Sequence, residues 1–457
     1  MSDKEKLFYK TKYALDCATA DEKAAFQEYA KGYMSFLDAA KTEREAVKES
    51  IRLAKEQGYV EYNLGDTVVP NGKYYLNNRG KSLYLFKIGT ESVENGIRIS
   101  AAHVDSPRLD LKQNPLYEDN NIAYLKTHYY GGVKKYQWTA IPLALHGVVC
   151  LTDGTTVDVV IGEDDNDPVL CISDLLPHLA KDQMSKTLGE GISGESLNLI
   201  IGAEPAEGEG EERVKLMVMQ ILNEKYGMTE EDFLSAELTA IPAFKARDIG
   251  LDRALIGAYG HDDRVCSYPA LTALFENPDS PHTLMCVLAD KEEIGSCGTT
   301  GMKVDLFVDL IDEISISLGA DPRKVRANSK CLSADVNAAF DPAYAECYEK
   351  RNCSFVGRGV VMTKYTGARG KSGSSDASAE FIAFMRNIFD KENVVWQSGE
   401  LGKVDQGGGG TVAAYVAERN IETVDLGVAV LSMHAPFEII SKADLYMTHK
   451  AFSAFNK

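Results

Sequence analysis

Four short apolar runs in this chain each end in an imidazole or a carboxylate, and that pattern restricts the folds open to it. Residues 97–102 run into His103-Val104-Asp105, and residues 284–289 stop just before Glu292-Glu293. Residues 331–334 lead into Asp335, and residues 426–431 lead into Ser432-Met433-His434. A fifth apolar stretch, 255–259, is followed by Gly260-His261-Asp262-Asp263-Arg264 and then by a helical pattern. Charges placed where apolar strands end are costly unless something pairs them. Open α/β sheets bind ligands beyond the carboxyl ends of their strands, so these side chains are expected to converge on one rim. Two imidazoles with several carboxylates and no thiolate suit Zn, Mn or Co in a hydrolytic centre better than a structural zinc knot. Taken singly, each element is ordinary: His103 a satisfied core histidine, Glu292-Glu293 a solvated turn, Asp262-Asp263 a helix cap. The combination carries the signal.

The remainder of the sequence sets the frame for that rim. Acidic residues outnumber basic ones 68 to 49, a formal charge of −19, which repels phosphate backbones and anionic membranes and argues against nucleic-acid or membrane partners. The nine cysteines are odd in number and lack C-x-x-C pairs. Cys150, Cys171 and Cys286 sit in apolar contexts and read as buried free thiols of a reducing, cytoplasmic compartment. Residues 1–10 are charged without the apolar core of a signal peptide, and no apolar run approaches the roughly 18 residues of a membrane span. Phe26, Tyr29, Tyr33 and Leu37 recur at helical spacing, and Thr42 with Glu45 forms a capping box for a second helix. Strand-like runs begin near Gly58. Residues 113–248 change texture, mixing short apolar runs with acidic, glycine-containing turns, and read as an insertion. The expected division is 1–112 and 249–457 for one α/β domain, with 113–248 inserted between them.

The ordered set His103-Val104-Asp105, Asp262-Asp263, Glu292-Glu293, Asp335 and His434 resembles the aspartyl-aminopeptidase family of dinuclear zinc exopeptidases. Further matches are Lys41-Thr42-Glu43-Arg44-Glu45, Leu332-Ser333-Ala334-Asp335, Asp425-Leu426-Gly427 and Met433-His434-Ala435-Pro436, so the likeness spans nearly the whole chain. The resemblance implies a mixed-sheet catalytic domain with helices on both faces, and a β-rich dimerisation domain at 113–248 whose dimers build a tetrahedral homododecamer. It implies an aminopeptidase that removes the N-terminal residue of peptide substrates with two divalent ions per subunit, zinc first, Mn or Co as alternatives. Asp262 would bridge the ions, His103 and Asp335 would complete one shell, and Glu293 and His434 the other. Glu292 would be the general base, and Asp105 would hold the His103 ring. His146, in Ala140-Ile141-Pro142-Leu143-Ala144-Leu145-His146, would stabilise the oxyanion in a neighbouring subunit; its ordinary alternative is a structural histidine at a strand end. Sequence alone leaves Asp262 and Asp263 undistinguished as the bridge. Adjacent glutamates on an extended segment would point opposite ways, one to an ion and one to the water.

One departure bears on selectivity. Family members that select acidic N-terminal residues carry a histidine shortly after the Asp335-type ligand, and Asp335-Val336-Asn337-Ala338-Ala339 has none. Lys364 and Arg369 downstream could restore positive charge, or be solvated surface cations. The Gly407–Gly410 run can bring backbone close to substrate. Two rival readings are weighed. A P-loop at Gly370-Lys371-Ser372 would need glycine where Tyr365 stands. A scaffold that lost turnover would not keep every ligand type and the base. No G-x-S-x-G elbow is present.

Overall fold

The computed structural model describes residue 3 and residues 7–457, so the charged leader read in residues 1–10 lies partly outside the described residues. The chain divides into two compact units. One comprises residues up to Asp105 with Ala246–Met433 and Glu438–Lys457; the other comprises Ser106–Lys245 with His434–Phe437. The second unit thus starts seven residues before the change of texture at 113.

In the first unit nine strands form one mixed sheet: β1 Val60–Glu61, β2 Lys73–Asn78, β3 Ser82–Lys87, β4 Ile97–His103, β5 Thr283–Ala289, β6 Lys330–Ser333, β7 Val360–Thr363, β8 Trp396–Ser398 and β9 Glu422–Gly427. Their order is β1-β2-β3-β5-β4-β6-β9-β7-β8. The four central strands β5, β4, β6 and β9 are mutually parallel. Successive residues of a strand point to opposite faces, and this sequence uses both faces. Leu284, Cys286 and Leu288 of β5 enter one core, while Met285, Val287 and Ala289 enter the other. Leu83 and Leu85 of β3 part from Tyr84 and Phe86 in the same way. Helices Ala20–Ala39, Glu43–Glu56, His261–Glu276, Ala379–Lys391 and Lys442–Asn456 contribute to the first core; Leu306–Ser317 and Pro322–Asn328 contribute to the second. Helices on both faces of a mixed sheet are the expected architecture. The leading helices form as the spacing predicts, with Thr42 and Glu45 in a reciprocal capping box.

Two strand assignments need correction. The run 426–431 is not one strand: β9 ends at Gly427, and Ala429–Val430 pairs with Asn337–Ala338 in a separate two-stranded sheet. Leu255–Ala258 belongs to a three-stranded sheet with Arg247–Ile249 and Glu438–Ser441. An apolar run reports burial; it does not report which strand completes its hydrogen-bond ladder. The thiols also differ from expectation: all nine are free, but Cys150 is exposed and Cys171 intermediate, and only Cys286 of the three is buried.

The second unit is built on a six-stranded sheet in which every pairing is antiparallel, with Thr156–Ile161, Leu143–Cys150, Ala236–Pro242, Arg108–Asp119, Ile122–Tyr130 and Asn198–Gly202 in that order. Helix Arg213–Tyr226 turns Val214, Val218 and Leu222 inward. Among the described residues no helix is long and apolar enough to cross a membrane.

One buried carboxyl makes the stability of the first unit sensitive to pH. Asp444 accepts the amide protons of Gly357 and Gly359, both at 2.6 Å, and burial pushes its carboxyl up to about 7. The folded state therefore keeps a proton that the unfolded chain releases near its ordinary value of about 3.9, so this group's contribution falls as pH rises towards 7. Asp444→Asn cannot accept both amide protons and should cost roughly 1–3 kcal/mol. The gap in melting temperature between wild type and variant should be wider at pH 5 than at pH 8; an equal gap would refute the assignment.

Candidate metal centre

The register of three adjacent parallel strands sets the centre. His103, the last residue of β4, pairs with Ala289, the last residue of β5, and Ser333 at the end of β6 pairs with Ala101. Chains leaving β5 and β6 therefore emerge beside His103, carrying Glu292-Glu293 three residues on and Asp335 two residues on. Asp262 arrives from outside that sheet. Gly260 takes a left-handed conformation at φ 76°, Asp262 and Asp263 are non-helical, and regular helix begins at Arg264. The pair thus stands at the mouth of the helix, buried to 3% and 0% exposure.

His103, Asp262 and Asp335 each offer one ligand atom, and these lie within 4.8 Å of one another; Asp262 and Glu293 meet the same criterion. His103 Nδ1–H donates to the main-chain carbonyl of Asp105 at 3.0 Å. Because a carbonyl can only accept, the neutral ring must carry its lone pair on Nε2. That nitrogen lies 3.1 Å from Asp262 Oδ1, so two acceptors face each other, an arrangement that requires a proton or a cation between them. Asp263 is used differently: its Oδ2 accepts the main-chain N–H of His103 at 3.3 Å.

Asp105 does more than hold a ring. Its carboxylate is 3.4 Å from His103 Nδ1, and its two oxygens accept the amide protons of Glu292 at 3.1 Å and Glu293 at 3.2 Å. The glutamates do not lie on an extended segment, as alternation predicts. They open a 3-10 turn, Glu292–Ile294, after Lys291 at φ 67°, and Asp105 receives the N–H groups that such a turn leaves without intrahelical acceptors.

Charge balance fits a cation. Burial pushes the Asp263 carboxyl well above its usual range, with Asp262 adding to the rise and His103 opposing it. Burial, then Asp263 and Glu292, does the same to Asp335. Burial lowers the His103 imidazole, but Asp105, Asp262 and Asp263 outweigh it and leave the ring well above its ordinary value. A divalent ion held by these groups would compete with the protons that these shifts favour. Oxygen and imidazole donors of this kind suit zinc.

His434 lies in the segment grouped with the second unit, at φ 65°. Its Nδ1–H donates to the Gly132 carbonyl at 2.9 Å, which leaves Nε2 as the ring's acceptor. His146 stands on Leu143–Cys150, 3% exposed, with Nε2 3.1 Å from Glu163 Oε1. Lys364 and Arg369 are exposed. Arg369 borders a cavity of about 50 Å³ together with Lys371, Lys403 and Glu400. The Gly407–Gly410 run is drawn against other loops: a Cβ on Gly408 would lie 2.0 Å from the Gly367 carbonyl oxygen. No helix follows Ser372 directly, the next beginning at Ala379, so the P-loop geometry is not formed.

Two residues to which sequence reasoning gave no role border the centre. Gly427 closes β9 so tightly against the neighbouring chain that a Cβ there would lie 1.8 Å from the Asp335 carbonyl oxygen. Gly427→Ala should therefore displace Asp335, lower zinc affinity about 10-fold or more and cost roughly 1–3 kcal/mol through overpacking. Zinc titration and thermal melting measure both, and an unchanged affinity would show that Asp335 tolerates the shift. Glu438, the other, is a charge inside the apolar stretch 435–440, 1% exposed.

A rim of imidazole and carboxylate donors at the carboxyl ends of parallel strands in a mixed α/β sheet suits a metal-dependent hydrolase. The chain belongs to the M18 family of aminopeptidases, and the family model described as aminopeptidase I zinc metalloprotease matches residues 36–456. It is 52% identical over 447 residues to a probable M18 family aminopeptidase 1 of Clostridium acetobutylicum, covering 95% of this chain and 96% of that one. The crystal structure of an M18-family aminopeptidase from Thermotoga maritima superposes with a TM-score of 0.94 at 44% identity, covering 98% of this chain and all of that one. The S. cerevisiae mApe1 structure, at 20% identity and a TM-score of 0.77 over 94% of this chain and 97% of that one, shares the fold.

Proposed function

We propose that this metallo-aminopeptidase works with two zinc ions per subunit, Asp262 serving both, His103 and Asp335 completing one shell, and Glu293 and His434 the other. The observation that carries the reading is the facing pair of acceptors, His103 Nε2 and Asp262 Oδ1, at 3.1 Å. Bound zinc supplies a Lewis acid that lowers the pKa of water and polarises the scissile carbonyl. The chain supplies the rest. Glu292 accepts the water's proton and passes it to the departing amine, and Asp105 holds the backbone of that base through its amide. The carboxylate-rich rim attracts the protonated N-terminus of a peptide.

His146 enters the same reading as an oxyanion donor to a neighbouring subunit; with Nε2–H donating to Glu163 Oε1 at 3.1 Å, it would donate through Nδ1–H of a protonated ring. Residues 113–248 then serve assembly, and the dodecamer named for the S. cerevisiae structure is the proposed state here. The cytoplasm is the proposed compartment. Arg369 and Lys403, on a small cavity that Glu400 and the Asp376-paired Lys371 also line, are the cations that would favour acidic N-terminal residues.

A panel of aminoacyl chromogenic substrates, run on apoenzyme reloaded with Zn, Mn or Co, tests the proposal. Activity should return with two equivalents of metal and be greatest on aspartyl and glutamyl substrates. Full activity at one equivalent would refute the two-ion reading, and a preference for neutral residues would refute the acidic one.

A further inference from the structure

Three of the backbone segments that bear candidate ligands have amide protons accepted by a buried carboxylate. Asp263 accepts from His103, Asp105 accepts from Glu292 and Glu293, and Glu438 Oε2 accepts the N–H of Asp262 at 3.1 Å. Glu438 differs from the other two in its origin. It opens the strand Glu438–Ser441, which pairs antiparallel with Leu255–Ala258, and Glu438 stands opposite Ala258 itself. The chain that leaves Ala258 reaches Asp262 four residues later. The carboxylate therefore meets the Asp262 amide across the end of a two-strand ladder, at a point where Asp262 is non-helical, with φ −80° and ψ 106°. There a buried side chain holds the amide of a residue that departs from helical geometry.

We infer that Glu438 is a positioning residue for the metal-ligating carboxylate of Asp262, acting through the Asp262 amide. The inference rests on the reading of Asp262 as a ligand. A buried carboxylate bound to an amide forms a charge-assisted hydrogen bond, and partners of this kind typically contribute 10–100-fold in metal affinity. Glu438 is 1% exposed and lies four residues after His434 in sequence. Its strand thus returns the chain from the His434 loop to Asp262, and one short segment carries a proposed ligand at one end and the support of another at its other end.

Glu438→Ala and Glu438→Gln separate this role from mere packing. Gln keeps a carbonyl oxygen that can accept the Asp262 N–H, whereas Ala removes it. Zinc affinity of the apoprotein is measured by competition with a chromophoric chelator, alongside kcat and KM for an aminoacyl substrate and the melting temperature. Ala should lower zinc affinity and kcat about 10-fold or more with KM within about 2-fold, while Gln stays within about 3-fold of wild type in all three. A folded Ala variant with wild-type affinity and kcat overturns the inference. So does a Gln variant that falls 10-fold while melting as wild type does, and this arm decides the matter if Ala does not fold. Failure of the wild-type apoprotein to bind zinc at all would instead overturn the reading of the centre.

Discussion

Glu292→Gln should lower turnover about 10²–10⁴-fold while the protein keeps its full zinc content. The substitution preserves shape and one carbonyl oxygen but removes the only form of the side chain that can take a proton from water. Its amide N–H is untouched, so Asp105 can still hold the 3-10 turn through both backbone contacts, at 3.1 and 3.2 Å. KM should move little, because Glu292 acts in the proton transfer and not in binding. Metal analysis on the same sample is essential to the argument: low activity with zinc absent would describe a lost site, not a lost base. Equal rates in wild type and variant would assign the activity to a contaminant and leave the scaffold alternative standing.

Asp262→Ala should empty the centre. Among the described residues Asp262 offers a ligand atom within 4.8 Å of those of His103 and Asp335, and one within 4.8 Å of that of Glu293, so its removal strips a donor from both positions. The loss should exceed the roughly 100-fold upper range for residues that merely support a ligand, and activity should vanish with the metal. Asp263→Asn makes an informative comparison. Asp263 uses Oδ2 to accept the His103 amide at 3.3 Å, and Asn retains an acceptor for that bond, so its loss should be the smaller of the two. Asp262→Ala retaining one ion at wild-type affinity would show that the carboxylate is not shared. The reverse ranking would exchange the roles of the two aspartates.

The candidate ligands stood out because they interrupt apolar runs. His103, Glu292-Glu293 and Asp335 each follow a run that does become a strand, and β5, β4 and β6 prove to be parallel neighbours. The leading helices were legible for a similar reason: Thr42 with Glu45 is a local signal that needs no tertiary partner. Where reading failed, the missing information was non-local. Alternation placed the two glutamates on an extended segment, yet a carboxylate nearly two hundred residues upstream collects their amides into a turn. Continuous hydrophobicity at 426–431 gave no sign that the ladder changes sheets after Gly427. Glu438 and Gly427 act through an amide and a carbonyl of distant residues, and backbone groups leave no mark on the sequence of their partners.

The amino-acid order by itself determined the chemistry available here: apolar strands on both faces of a sheet, and imidazoles and carboxylates placed at their ends without thiolates. Tertiary structure alone decided which aspartate faces the His103 ring at Nε2, which carboxylates accept main-chain amide protons, and how closely Gly427 lets Asp335 approach. The physical reason is that periodicity and composition report the burial of side chains, whereas hydrogen bonds to main-chain groups depend on strand order and register.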